Sequence, residues 1–83
     1  MDIMHDILKI VQERCGEIKK THLMYKANLS HNQMKTYLVE LIRNGLLEDK
    51  FNGERHRIAI SKKGRNFSMR YAQVKEFEKT FGL

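Results

Sequence analysis

Residues 28–45, NLSHNQMKTYLVELIRNG, decide how this chain folds. Their apolar side chains recur at i, i+3, i+4, i+7 and i+8, which is the spacing of one stripe along an α-helix; they are Met34, Tyr37, Leu38, Leu41 and Ile42. Ser30 and Gln33 have the spacing of an S-x-x-Q capping box. Gly45 stands where a glycine commonly ends a helix. The pattern predicts a helix over residues 30–44.

The chain upstream predicts a long amphipathic helix. Between Asp2 and Cys15, apolar residues fall at helical spacing, at Ile3, Ile7, Leu8, Val11 and Cys15. Gly16 follows at the place of a helix-ending glycine. Cys15 continues the apolar stripe, so we expect its thiol to be buried.

A short second helix is predicted after Lys20. Thr21 is the expected N-cap, and the next apolar residues give a narrow face, formed by Leu23, Met24 and Ala27. Asn28 tolerates the left-handed conformation that turns a chain out of a helix. Only about two residues, Asn28 and Leu29, separate this helix from the third, a gap typical of a helix-turn-helix.

Beyond Gly45 the pattern becomes extended. Leu46, Leu47 and Phe51 form one apolar stretch, and Ile58 and Ile60 alternate around Ala59 in a second. Asn-Gly at residues 52–53 is a strong hairpin signal because both residues accept positive φ. We therefore expect two short antiparallel strands with a charged tip.

Ser61 is expected to cap a last helix that runs toward Phe81. Gly64, in its first turn, is unfavourable in a helix by about 1 kcal/mol relative to alanine, which suggests close approach of another backbone. Aromatic and aliphatic residues form a spaced stripe farther along, at Phe67, Tyr71, Val74 and Phe81, with Phe77 beside it. We expect this stripe to be a dimer interface, since exposed aromatics in a row usually mark one.

Composition limits the possible functions. The chain has 83 residues, which allow one domain, and a net charge of +6 that favours a polyanionic partner. Residues 61–83 alone carry six Lys and Arg against two Glu. No apolar run approaches the roughly 20 residues that span a bilayer. The acidic start and the single cysteine make the cytoplasm the expected compartment.

The predicted order of helix, helix, helix, strand, strand, helix describes a winged helix. The fold class is α+β, mainly α: three helices and a β-hairpin wing over residues 1–61, then a C-terminal dimerisation helix over 62–83, in one compact domain.

Two long segments carry a family resemblance. MYKANLSHNQMKTYLVELIRNGLLE, residues 24–48, and ISKKGRNFSMRYAQVKEFEKTFGL, residues 60–83, resemble archaeal winged-helix regulators that end in a long C-terminal helix. The resemblance extends from about Ile7 to Leu83 and implies a double-stranded DNA ligand and a homodimer joined through the C-terminal helix. Ser68 stands where the family has an apolar residue, and the last helix is short.

The third helix is the predicted base-reading element. Asn32 and Thr36, which point outward, and Gln33 on the flank have side chains that can read adenine or contact thymine. The alternative is an ordinary solvated helix face. Gln33 also has a competing role in the capping box.

Basic and polar residues at the helix starts and on the wing are the predicted contacts with the phosphate backbone of DNA. Those on or beside helices are Lys20, Thr21, His22, Ser30, Lys35, Arg43, Lys62, Lys63 and Arg65. Those on the wing are Lys50, Asn52, Arg55, His56 and Arg57. The wing also has three acids, so a merely solubilising hairpin is an open alternative, as is a plain solvated face at the last helix.

No pattern predicts an enzyme, a cofactor, a metal or a small-molecule ligand. The four histidines are scattered without ligand spacing, and phosphate-binding glycine motifs are absent.

The predicted function is a transcriptional regulator that binds double-stranded DNA. The alternative is a winged-helix module for protein–protein interaction within a larger assembly, with Tyr71, Phe77 and Phe81 as its docking surface. RNA binding is less favoured because the sequence lacks a run of aromatics for base stacking.

Overall fold

A computed structural model describes residues 3–51 and 53–83. Four helices and three strands follow one another as α1 (Ile3–Glu13), β1 (Glu17–Lys19), α2 (Lys20–Ala27), α3 (His31–Arg43), β2 (Leu47–Phe51), β3 (His56–Ile60) and α4 (Lys62–Phe81). The predicted α+β, mainly helical winged-helix class is confirmed. None of the helices described is long and apolar enough to cross a membrane.

The sheet has one strand more than the sequence predicted. Its order is β1-β3-β2, with both pairings antiparallel. β1 pairs Ile18 with Ile58, so it extends the hairpin on the side away from β2. Ile58 and Ile60 lie on the core face, as their alternation around Ala59 predicts. Ala59 is buried as well, on the other face, where the register pairs it with Glu17 and Glu48 of the two neighbouring strands.

The end of α1 differs from the prediction. The helix ends at Glu13, and both Cys15 and Gly16 adopt positive φ, at 61° and 84°. The Gly16 N–H donates to the Val11 carbonyl at 3.0 Å and closes the turn. Because the chain has left the helix by residue 15, Cys15 no longer lies on the apolar stripe. Its predicted burial is wrong: the thiol is exposed.

The start of α2 also differs from the prediction. Lys19 occupies the N-cap position and makes no side-chain capping hydrogen bond. β1 runs directly into the helix at Lys20, which places the expected cap, Thr21, inside the first turn. The end of α2 is as predicted, because Asn28 adopts the left-handed conformation with φ 55° and ψ 47°.

Both ends of α3 confirm the sequence prediction. Ser30 and Gln33 form a reciprocal capping box. At the other end, Gly45 has a φ of 75°, and the Leu46 N–H donates to the Leu41 carbonyl at 2.9 Å. These bonds fix the direction in which the chain enters and leaves the helix.

The core lies between the helices and one face of the sheet. Its fully buried side chains come from α1, α2, α3 and the hairpin; the largest are Ile7, Leu8, Leu23, Met34, Leu41, Leu47, Ile58 and Val11. Residues of all three predicted helical stripes are among them. Phe51 is not, since it is 59% exposed at the far end of β2. Asn52 of the predicted Asn-Gly turn lies outside the described residues.

The first half of α4 packs against the rest of the domain. Ser61 caps the helix by accepting from the Gly64 N–H at 2.9 Å. A Cβ at Gly64 would collide with the Leu46 carbonyl oxygen, which confirms the expected close backbone approach. Ser68 is buried, and its hydroxyl lies 3.4 Å from Nε2 of His5 on α1. The serine that departs from the family pattern therefore lies on the buried face.

Candidate nucleic-acid interface

The outer face of α3 is open and polar apart from Val39, which is 55% exposed. Asn32, Lys35, Thr36 and Arg43 are all exposed, whereas the opposite face of the helix is buried. The Thr36 hydroxyl donates to the Asn32 carbonyl at 3.0 Å. This bond fixes the Thr36 side chain and leaves the hydroxyl oxygen able to accept a further hydrogen bond.

Gln33 is engaged in the helix cap. Its Oε1 accepts from the Ser30 N–H at 3.0 Å, and its own N–H donates to Ser30 Oγ at 3.2 Å. Bidentate reading of adenine needs the amide oxygen and the amide nitrogen together. With its oxygen in the capping box, Gln33 offers only its NH₂ group. A base contact by Gln33 stays a prediction.

The starts of α2 and α3 lie side by side. Lys20 and Thr21 line a small cleft together with Met24, His31 and Met34. The first turn of α3 thereby shares a surface with two of the predicted backbone contacts. A ligand lying along the start of α3 is within reach of both helices.

The wing also lies beside the start of α2. Lys19, Lys20 and Thr21 line a second groove together with Arg55 and His56. Basic side chains from the β1–α2 junction and from the wing therefore border one groove. Lys20 and Thr21 on one side and Arg55 and His56 on the other were predicted as contacts on two separate elements, and the structure brings them to one groove.

His22 is held in its neutral form. The guanidinium of Arg14 donates to His22 Nε2 at 2.8 Å, and because arginine has no acceptor, Nε2 must be unprotonated. Partial desolvation of the ring lowers the pKa of His22, as do the positive charges of Arg14, Lys26 and Lys19. In this state His22 adds no positive charge to the surface.

Two of the predicted wing contacts share one acid, Glu17. Glu17 on β1 lies 3.6 Å from Arg57 Nε and 3.8 Å from Lys50 Nζ. The register places Lys19, Arg57 and Lys50 side by side across the sheet, so Glu17 offsets a row of three cations. Asn52 is the one predicted wing contact outside the described residues.

Two predicted cations, Arg43 and Lys63, lie at the far end of α3. Lys63 Nζ donates to the Asn44 carbonyl at 2.9 Å, at the C-terminal end of α3, where a cation complements the helix dipole. The Arg65 guanidinium lies elsewhere, against Gly16 in the turn after α1. α3 has 13 residues and is about 20 Å long at 1.5 Å per residue. Cations therefore lie near both ends of α3, with Lys20 near its start and Arg43 and Lys63 at its end, and Lys35 is exposed on the helix between them.

The predicted dimer stripe on α4 is largely exposed. Val74, Phe77 and Phe81 are 56%, 56% and 64% exposed, and the last two rings lie 4.6 Å apart. Tyr71 differs, because its ring stacks on His5 of α1 at 4.2 Å. The stripe thus begins against the domain and continues beyond it.

Phe51, on the wing, is an exposed residue that sequence reasoning did not select as a contact. It was placed in one apolar stretch with Leu46 and Leu47, but its ring is exposed and stacks on His56 at 4.4 Å between centroids. The available signal was the acidic and basic residues around it, Glu48 to Lys50, which indicate a strand that has left the core.

The comparisons with known proteins agree with this geometry. A family model described as winged helix-turn-helix matches residues 1–79, whereas no curated protein sequence matches the chain.

Three solved structures show the same fold at low sequence identity. Sso10a-2, a DNA-binding protein from Sulfolobus solfataricus, superposes with a TM-score of 0.71 at 24% identity, over 96% of this chain and 84% of that one. F93 from STIV, a winged-helix DNA-binding protein, gives 0.79 at 16% identity, over 92% and 87%. The PcaV transcriptional regulator from Streptomyces coelicolor gives 0.81 at 15%, over 98% of this chain but only 60% of that one.

Proposed function

The chain belongs to the winged helix-turn-helix family, and from this premise we propose that it is a transcriptional regulator that binds double-stranded DNA. In this proposal α3 enters the major groove, and the chain acts by binding rather than as an enzyme. Proteins with a similar fold are described as DNA-binding proteins or transcriptional regulators, which supports the proposed function.

The single observation that carries the proposal is the largely polar outer face of α3 with cations near both ends of the helix. An α-helix fits the major groove of B-DNA, and phosphates flank the groove on both sides. Basic residues at the two ends of α3, with Lys20 at one end and Arg43 and Lys63 at the other, are placed to contact phosphates while the middle of the helix faces the bases.

Within this arrangement the side chains have different tasks. Asn32 and Thr36 are the proposed base-reading residues, with Gln33 contributing its NH₂ group. The basic and polar side chains at the helix starts are the proposed contacts with the DNA phosphate backbone, and such contacts position the protein without reading sequence. On the wing, Arg55 and His56 extend the groove that begins at Lys20.

A homodimer through α4 is the second part of the proposal. The exposed aromatics beyond Tyr71 leave apolar area that a second copy would cover. Two-fold pairing would also present two copies of α3 to successive half-sites, as dimeric helix-turn-helix proteins do.

A protein-interaction module is the rival function. The exposed pair of rings at Phe77 and Phe81 favours it, since such a surface also suits a different protein chain. The two functions differ in what happens to duplex DNA, which the rival leaves unbound.

The experiment that tests the proposal compares a base-reading variant with a phosphate-contact variant. Bound sequences are first selected from a random duplex pool. Asn32→Ala should then weaken binding to the selected site by about 1–3 kcal/mol and hardly affect random duplex. Lys35→Ala, on the same helix, should weaken both alike. The base-reading role fails if Asn32→Ala affects both duplexes equally, and the rival is favoured if the wild type binds no duplex at low salt.

A further inference from the structure

The outer half of the hairpin presents an aromatic pair to solvent. In the register of β2 and β3, Phe51 stands opposite His56, on the same face of the sheet as the buried residues Leu47, Ile58 and Ile60 and the exposed Asp49. Side chains of one face line up along a strand at every second residue. The face of the hairpin that carries core residues therefore continues past the core, and Phe51 is its last residue on β2.

The ring of Phe51 is held in place. It lies nearly parallel to the His56 ring, at an interplanar angle of 24°. His56 is itself fixed by Asp49, whose Oδ1 lies 3.2 Å from His56 Nδ1. An apolar ring that is 59% exposed is thus supported from below by a hydrogen-bonded imidazole.

The ring lies beside a groove in which cations outnumber acids. His56, which Asp49 contacts from the other side, lines this groove together with Lys19, Lys20, Thr21 and Arg55. An apolar ring beside several cations is complementary to a polyanion that also offers apolar surface. Duplex DNA meets this description, with phosphates along the minor groove and stacked bases on its floor.

We propose that Phe51 is an apolar wedge that enters the minor groove, inserts at a base step and kinks the duplex. The wedge rests on the proposed DNA binding and adds to it a specificity that reads deformability rather than base edges. Pyrimidine–purine steps unstack most easily, so they are the expected insertion sites. The cations of the adjacent groove hold the flanking phosphates, and α3 occupies the neighbouring major groove.

The test measures DNA stiffness, because this readout needs no known operator. Long duplex DNA of mixed sequence is held in magnetic tweezers, with the wild type or Phe51→Ala added at equal occupancy, as set by fluorescence anisotropy. The wild type should lower the apparent persistence length below the roughly 50 nm of bare DNA. Phe51→Ala should bind and leave it near that value.

Further variants separate the wedge from folding and from charge. Phe51→Leu should still bend DNA, because leucine also acts as a wedge, and it shows that the strand tolerates substitution. Phe51→Lys should bind at least as tightly as the wild type but should not bend DNA. Met69→Ala, at a residue of similar exposure on α4, should behave as the wild type.

The outcomes distinguish the wedge from the function on which it rests. If the wild type binds duplex DNA but Phe51→Ala lowers the persistence length equally, the wedge is overturned and DNA binding stands. The wedge is also overturned, and DNA binding stands, if the wild type binds duplex DNA without lowering its persistence length. If the wild type does not bind duplex DNA at all, both proposals fail.

Discussion

At the scale of single residues, His22 is a neutral imidazole among positive charges. Its pKa is lowered by partial desolvation and by Arg14, Lys26 and Lys19, whereas in the unfolded chain it is near 6.5. The unfolded state therefore binds more protons in mildly acidic solution. The stability contributed by neutral His22 is complete above about pH 6.5 and is lost as the pH falls through the folded-state pKa.

His22→Gln should reduce this loss of stability. Glutamine keeps an acceptor for the Arg14 guanidinium and does not titrate. Urea unfolding midpoints at pH 7.5 and 5.5 measure the effect, and the difference between them should be smaller for the variant than for the wild type. Arg14→Ala, which removes one positive charge beside the ring, should also narrow the difference. Equal differences in all three proteins would show that His22 does not contribute.

Individual residues were predictable from sequence where the cause is local. The capping box of Ser30 and Gln33 and the left-handed Asn28 depend on a few neighbouring residues, and both were predicted. Cys15 was not, because its exposure depends on where α1 stops. Phe51 was not, because its exposure depends on how far the hairpin extends beyond the core.

At the scale of elements, α4 meets the start of β2 at Gly64. A Cβ there would collide with the Leu46 carbonyl oxygen and lie 2.8 Å from Cγ1 of Ile60. The carbonyl is not free to move, since it accepts from the Ser61 N–H at 3.1 Å. The glycine thus permits a close contact at the base of the wing.

Gly64→Ala should therefore destabilise the protein. Alanine gains about 1 kcal/mol in helix propensity, but overpacking typically costs about 1–3 kcal/mol, and here the clash is with backbone. We expect a net loss in the free energy of unfolding, measured by urea titration. Gln73→Ala, at an exposed residue of the same helix, should change it by less than about 0.5 kcal/mol. A Gly64→Ala protein as stable as the wild type would contradict the contact.

The elements themselves were predicted, apart from β1. Three helices with regular stripes and a hairpin with clear apolar strands have strong periodic signals. β1 has only three residues, Glu-Ile-Lys, which is too short to show a period. Its pairing with β3 is a long-range contact that local pattern does not encode. The N-cap of α2, which follows β1 directly, is Lys19 instead of the predicted Thr21.

At the scale of the whole molecule, the chain is elongated, with extents of 49 × 26 × 21 Å. α4 contributes to this length, since its 20 residues span about 30 Å. Its first half packs on α1 through Ser68 and Tyr71 and on the base of the hairpin through Gly64, whereas its distal apolar residues are exposed. The sequence left open whether the helix folds back or dimerises. The first half of the helix folds back onto α1, whereas Val74, Phe77 and Phe81 in the second half are exposed among the described residues.

The distal half is where the proposed dimer can be tested. Val74→Asp combined with Phe81→Asp should shift the protein from dimer to monomer, because two buried charges would replace apolar contacts. Sedimentation equilibrium at tens of micromolar measures the mass. Met69→Asp, elsewhere on α4, should remain dimeric. A monomeric wild type, or a double variant that dimerises normally, would contradict the dimer.

The central claim is that α3 binds in the major groove of duplex DNA. The most direct measurement compares two duplexes of the same sequence, one of which carries bulky glucosyl groups on its cytosines through the 5 position, so that the major groove is filled and the minor groove is left open. Our account predicts that the wild type binds the unmodified duplex and loses most of that affinity on the glucosylated one. Equal affinity for the two duplexes would contradict it.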